Sequence, residues 1–262
     1  MNVRELCDDL RAERSALEDV LDGLDEAAWS TPTPAAGWEV VDQVTHLARF
    51  DDTSTLSITD PGAFRLERAE AVRDVDGFVA RVVAEHHTTP PAEALGWLHA
   101  AGERFTRTAE AADPAVRVPW YGSDMTIASM VTARIMETWA HGRDVRDALG
   151  VAHPSSVGLR HVAFLGWRAV ANSFRAHGRP EPTVPVRVEL DDPVVGAVAL
   201  GAVDADDVVR GDLGEFCLVV TQRRHIDDTA LSAEGPVARE WLTIAQAFAG
   251  PPGAGRRAGQ LG

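Results

Sequence analysis

A chain of 262 residues that is 45% hydrophobic can bury one large core or two modest ones, and its composition is that of a globular protein. Its 40 acidic and 25 basic residues give a formal charge of −15, which argues against a nucleic-acid partner, because neutralising phosphates takes clustered Lys and Arg. Cys7 and Cys217 stand far apart with no CxxC, which excludes a disulfide scaffold or a cysteine-based zinc site and fits a reducing cytoplasm.

The first segment sets Val3, Leu6, Cys7, Leu10, Leu17, Val20, Leu21 and Leu24 at three- and four-residue spacing among acids and arginines, the pattern of an amphipathic helix. It has no signal-peptide character, and no later stretch of about 18 apolar residues reads as a membrane span. A soluble, cytoplasmic protein without a membrane partner is therefore expected. After the breaker run Ser30-Thr31-Pro32-Thr33-Pro34, helical spacing resumes through Val40, Val41, Val44, Leu47 and Phe50, on a second helix that carries His46. A third helix is expected over about 66–87 and a fourth over about 91–112, closed by Asp113-Pro114. The segment 119–150 offers Ser123 or Asp124 as a helix cap and Gly150 as a stop, around a long and mostly buried helix.

Beyond Gly150 the texture changes. Val184–Leu190 and Val194–Leu200 read as β-rich runs separated by an Asp-Asp-Pro turn, with a helix expected before them (about 156–176) and another after them (about 236–248). The run Phe216–Val220 is too short for periodicity to separate helix from strand. Asp204–Asp207 reads as a solvated acidic loop, and 251–262, rich in Gly and Pro, as a flexible tail. The expectation is a two-domain α+β chain: a helical bundle over 1–150, a small α+β domain over 151–250, then the tail.

One constellation carries chemistry. Glu137 and His141 stand four apart, so they share one face of the last bundle helix, and His46 on the second helix offers a third ligand from a neighbour. Two imidazoles and one carboxylate with a position left open suit catalytic zinc, although nickel, iron or manganese take similar ligands, and bundles build metal sites this way. By itself Glu-x-x-x-His also recurs by chance on helices, and a lone histidine such as His46 is usually a satisfied core group. Asp144 extends the series by three residues and could orient His141 or bind a cofactor's polar part; otherwise it is an acid near a helix end. Trp38, Trp120, Tyr121 and Trp139 could line a pocket or simply pack the core. The other histidines, His86-His87 at a solvated helix end among them, read as surface or core residues.

The segments GWEVVDQVTHLARF (37–50) and PWYGSDMTIASMVTARIMETWAHGRDVRDALG (119–150) resemble the DinB-type metal-binding bundle of the mycothiol-dependent maleylpyruvate isomerase family. The resemblance implies a DinB-like four-helix bundle that binds zinc through His46, Glu137 and His141. It also implies a sterol-carrier-like C-terminal domain, more loosely carried by VVRGDLGEFCLVVTQRR. Its chemistry would be a low-molecular-weight thiol such as mycothiol acting on a small electrophilic acid, as isomerase or S-transferase. Trp38 and Asp144 would then meet the thiol, and Arg223 or Arg224 would clamp a substrate carboxylate, although two adjacent arginines are more often a solvated patch. Neither Cys7 nor Cys217 has the context of a nucleophile, so the thiol would come from a small molecule. Two other readings stand beside this one: a hydrolase or lyase using zinc-bound water, and a non-catalytic metal-containing protein that binds an apolar ligand. With no long heptad seam, a monomer or homodimer is expected.

Overall fold

The computed structural model describes residues 2–248, 250–253 and 255–260, and divides into two compact units, Met1–His153 and Pro154–Gly262. No helix among the described residues is long and apolar enough to cross a membrane.

In the first unit, Asn2 opens α1 (Val3–Leu21) with a reciprocal capping box to Glu5, and Glu39 opens α2 (Val40–Thr59) the same way with Asp42. The expected third helix is two, α3 (Pro61–Ala71) and α4 (Val75–His86), because Asp60 and Asp74 each accept backbone N–H groups as N-caps and so start a helix twice. α5 (Pro91–Ala111) follows, with proline at its first position. A short hairpin, β1 (Arg117–Val118) with β2 (Met125–Thr126), then leads into α6 (Ile127–Leu149). The hairpin moves the α6 cap past Ser123 and Asp124 to Thr126, whose Oγ1 accepts the Ser129 N–H at 3.1 Å; Gly150, at φ 64°, closes the helix as expected.

Four helices form a ring: α1 packs on α5 and α6, and α2 on α5 and α6. Their interior is split in two. Leu17, Leu21, Val44, Leu47 and Leu98 form one apolar cluster, and Leu6, Leu10, Phe105, Met130 and Ile135 another. Arg14 on α1, Asp51 on α2 and Arg134 on α6 are all but fully buried, with the Asp51 carboxylate accepting from Arg14 Nη2 at 2.9 Å and from Arg134 Nε at 2.8 Å.

The second unit begins with α7 (Leu159–Arg168) and α8 (Val170–Ala176), separated by the non-helical Ala169 where one helix was expected. Its sheet, in the order β4-β3-β5-β6, comprises β3 (Val186–Asp191), β4 (Val198–Leu200), β5 (Asp207–Asp212) and β6 (Ser232–Glu234). β3 and β5 are parallel and the outer pairs antiparallel. Val186, Val188 and Leu190 point inward in strict alternation. The second expected run loses Val194 and Val195 to a turn in which Asp192 accepts both of their N–H groups at 2.8 Å. The end of the acidic run is also not a loop: Asp207 begins β5 and, buried, accepts the Ala238 N–H at 2.9 Å at the start of α10 (Pro236–Leu242). Phe216–Val220 is helical, within α9 (Leu213–Val220), because Asp212 caps it by accepting the Glu215 N–H.

In the segment expected to be a flexible tail, the Gly259 N–H donates to the Asp228 carboxylate at 2.8 and 3.0 Å. Ala254, Leu261 and Gly262 lie outside the described residues.

Candidate metal centre

The loop before α2 frames the site. Gly37 adopts φ 78°, the left-handed conformation that a side chain resists, in a turn closed by the Trp38 N–H to the Ala35 carbonyl at 3.0 Å. The chain then doubles back, with the Thr33 N–H donating to the Trp38 carbonyl at 2.8 Å, and enters α2 at Val40. This places the half-buried Trp38 indole 5.1 Å from the His46 ring and stacked on the His141 ring, at 5.8 Å and an interplanar angle of 14°.

On α2, Gln43, His46 and Phe50 recur at helical spacing; on α6, Glu137 and His141 do the same. The packing of these helices brings His46, Glu137 and His141 together, so that one ligand atom from each lies within 4.8 Å of the other two. The imidazole centroids are 4.5 Å apart, and His141 Nε2 is 3.3 Å from Glu137 Oε2. Zinc ligands at about 2.0–2.2 Å from the ion stand roughly 3.3–3.6 Å from one another, so small side-chain adjustments suffice and the donor set fits zinc.

Burial pushes the Glu137 carboxyl up, but its hydrogen bond to His141 and the charges of His141, Arg134 and His46 outweigh that and hold it at about 2. It is therefore anionic at neutral pH, the state a metal ligand requires.

The other nitrogen of His141 is also held. Nδ1 lies 2.5 Å from Gln43 Oε1, Gln43 Nε2 donates to Thr33 Oγ1 at 2.8 Å, and Thr33 Oγ1 donates to the Trp38 carbonyl at 3.0 Å. Gln43 thus holds His141 Nδ1. Asp144 is 1% exposed and stands outside the converging donors, so it is not open to a cofactor in this conformation. Gln43 and Thr33 were missed by sequence reading, because Asp42, Gln43 and Thr45 are all polar here and no local signal singles out Gln43.

Phe50 continues from His46 (4.6 Å) towards Tyr121 (6.0 Å), whose hydroxyl donates to Glu67 and whose pKa burial pushes well above that of an exposed phenol. Trp120 stacks on Phe64, and Trp139 meets His153 edge-on, both as packing residues. His87 is not simply a solvated helix end: its Nδ1 meets both carboxylate oxygens of the fully buried Asp42, at 3.0 and 3.1 Å. Burial, then the Glu110 charge, pushes the Cys7 thiol up to about 12, and Cys217 is buried with Sγ 3.3 Å from the Leu159 carbonyl, so neither is a poised nucleophile. Arg223 and Arg224 belong to the second unit, half-buried after α9, where they donate to the carbonyls of Thr221 and Arg223.

Fold and site together define a class: an α+β protein whose helical unit presents a His-Glu-His donor set across two helices. Residues 10–146, just over half the chain, match the model for the mycothiol maleylpyruvate isomerase N-terminal domain, and the chain belongs to that family. The crystal structure of the mycothiol-dependent maleylpyruvate isomerase has a similar fold, with a TM-score of 0.60 and 14% identity over 89% of this chain and 93% of that one. A histidine-to-alanine mutant of that enzyme gives 0.58 and 15%, over 85% and 90%. Two uncharacterised Mycobacterium tuberculosis proteins, from strains CDC 1551 / Oshkosh and ATCC 25618 / H37Rv, are each 40% identical to it over 248 residues, covering 95% of this chain and 96% of theirs.

Proposed function

We propose that this protein is a metal-dependent enzyme that uses a mycothiol-like thiol on a small electrophilic acid, as an isomerase or an S-transferase. The observation that carries the reading is the convergence of His46, Glu137 and His141, in a chain of this family, with His141 held through its far nitrogen. A divalent ion, zinc by the chemistry of the donors, would lower the proton affinity of a thiol at the position these three residues leave open. Adding the thiol to a conjugated double bond allows rotation and expulsion in an isomerase; in a transferase the carbon–sulfur bond stays.

The chain's own residues have separable tasks in this scheme. His46, Glu137 and His141 hold the ion, and Glu137 brings the negative charge that offsets part of it. Trp38 stacks on His141 and offers its other surroundings to the thiol cosubstrate. Arg223 or Arg224 would receive the substrate carboxylate in a charge-assisted pair. Asp144, nearly closed to solvent, would not meet the thiol directly in this conformation.

The test is metal content and thiol dependence together. Protein purified without chelator or histidine tag should carry about one equivalent of zinc, lost in His46→Ala and His141→Ala, and turnover of an electrophilic acid should require both metal and thiol. Turnover that needs metal but ignores thiol would point instead to a hydrolase or lyase. A wild type that neither carries nor takes up metal would sink the proposal.

A further inference from the structure

We propose that Gln43 is a positioning residue that dictates which nitrogen of His141 is available to the metal, and that the loop carrying Thr33 and Trp38 sets the direction of that control. The inference rests on the metal-site reading above and deepens it.

The direction of every hydrogen bond in the relay follows from one fixed end. The Trp38 carbonyl only accepts, so the Thr33 hydroxyl, 3.0 Å away, spends its single proton there. Towards Gln43 the Thr33 oxygen must therefore accept, and only the amide Nε2 can donate to it, at 2.8 Å. That fixes the amide's orientation and presents Oε1 to His141. An amide oxygen only accepts, so His141 must carry its proton on Nδ1 to make the 2.5 Å contact. Nε2, 3.3 Å from Glu137 Oε2 and among the converging donors, is then the nitrogen left to face a metal, which would displace the proton that Nε2 shares with Glu137 in the metal-free site.

Burial makes the relay selective. Gln43 is fully buried on α2, so water does not stand in for a lost partner at low cost. Trp38 acts at both ends, as the carbonyl that starts the relay and the indole stacked on the imidazole that finishes it. A shift of the 31–39 loop would thus loosen the ring and its tautomer together.

Three variants and two readouts test this. Gln43→Met keeps the length of the side chain and removes the acceptor; zinc affinity, measured by competition with a chromophoric chelator, should fall about ten- to a hundredfold. Gln43→Glu restores an acceptor and should bind within about threefold of wild type, whereas Thr33→Val, which removes only the anchor of the amide, should fall between the two. In metal-free wild type, ¹⁵N NMR of the His141 ring should show the proton on Nδ1, and in Gln43→Met it should appear on Nε2. Equal weakening in the Met and Glu variants, or an unprotonated Nδ1 in the wild type, would overturn the proposal. A wild type that shows the expected tautomer but binds no zinc would overturn the metal-site reading instead, so the two failures are distinguishable.

Discussion

The two units bury different things. Among the described residues, the interior of the first holds Glu13, Arg14, Asp42, Asp51, Arg134, Asp144 and Arg146, whereas the second buries a single carboxylate, Asp207, whose task is to receive the Ala238 N–H at the start of α10. The rest of the second core is built mainly from apolar side chains such as Val186, Val188, Leu190, Val209 and Leu213, with Phe216 edge-on to Trp241 at 5.7 Å, beside the buried polar residues His161, Ser173, Thr221 and Gln246. Buried ion pairs are often no more stabilising than apolar residues of the same volume, so a helical ring that needed only to hold together would not require them. Their position is informative: Arg134 stands one turn before Glu137 and Asp51 five residues after His46, so the charged layer is continuous with the donor cluster. The first unit thus buries its charges next to the proposed metal ligands, whereas the one carboxylate buried in the second serves a helix start.

The sharpest way to break that comparison is to remove the centre of the charged layer. Asp51→Ala would leave Arg14 and Arg134 buried without their shared carboxylate, and Arg14 already has Nε and Nη1 with no hydrogen-bond partner among the described residues. We expect a loss of about 3–5 kcal/mol in urea unfolding. Glu189→Ala, which removes an equally well-connected carboxylate from the solvated face of the sheet between Arg187 and Arg210, should be indistinguishable from wild type. Similar losses in the two variants would mean that burial is not what distinguishes the units.

A pair of glycines sharpens the same contrast at smaller scale. In the first unit, a Cβ on Gly102 would lie 2.2 Å from the Arg14 guanidinium carbon; in the second, a Cβ on Gly166 would lie 2.7–2.9 Å from the side chain of Val220. Val220 is fully buried and β-branched, with no flexible end to move aside, so Gly166→Ala should cost about 1–3 kcal/mol despite the gain in helix propensity. Gly102→Ala should cost less in packing but should disturb the Arg14–Asp51 pair. A double-mutant cycle with Asp51→Ala would then show coupling for Gly102 and none for Gly166.

What was legible in the sequence follows the same division between local and tertiary causes. Glu137 and His141 are readable because a helix fixes their shared face, and His46 because its helix has a regular apolar stripe. Gln43 was not readable, since a buried amide acquires meaning only once the 31–39 loop brings Thr33 beneath it. The Asp42–His87 contact joins residues 45 apart and leaves no spacing signal. In the second unit, Val186–Leu190 shows its alternation, but β5 is a strand because β3 pairs alongside it in parallel, which no local pattern in an acid-flanked Val208-Val209 reports. The break between α3 and α4 was within reach, because Asp74 is a good N-cap, but apolar periodicity continues across it.

The effects of pH run in opposite directions at two histidines of the first unit. His153 packs edge-on against Trp139; burial first, then repulsion from Arg143 and Arg146, lowers its pKa from the usual 6.5 to about 4. Between those values the unfolded chain binds the proton that the folded one refuses, so the contribution is complete above about 6.5 and is lost as pH falls towards 4, to a total of no more than about 3 kcal/mol. His87 is raised by its hydrogen bond to Asp42, and then by that carboxylate's charge. Its contribution is complete below the unfolded value and is lost as pH rises through the folded one, and it is small because the ring is largely exposed. Unfolding midpoints measured across pH 4–8 should therefore lose their acid slope in His153→Phe, whereas His87→Ala should lower stability chiefly at the acid end and leave the neutral end nearly unchanged. An unaltered acid slope in His153→Phe would mean that the ring is not held neutral, and that the charged interior of this unit does not extend its repulsion as far as residue 153.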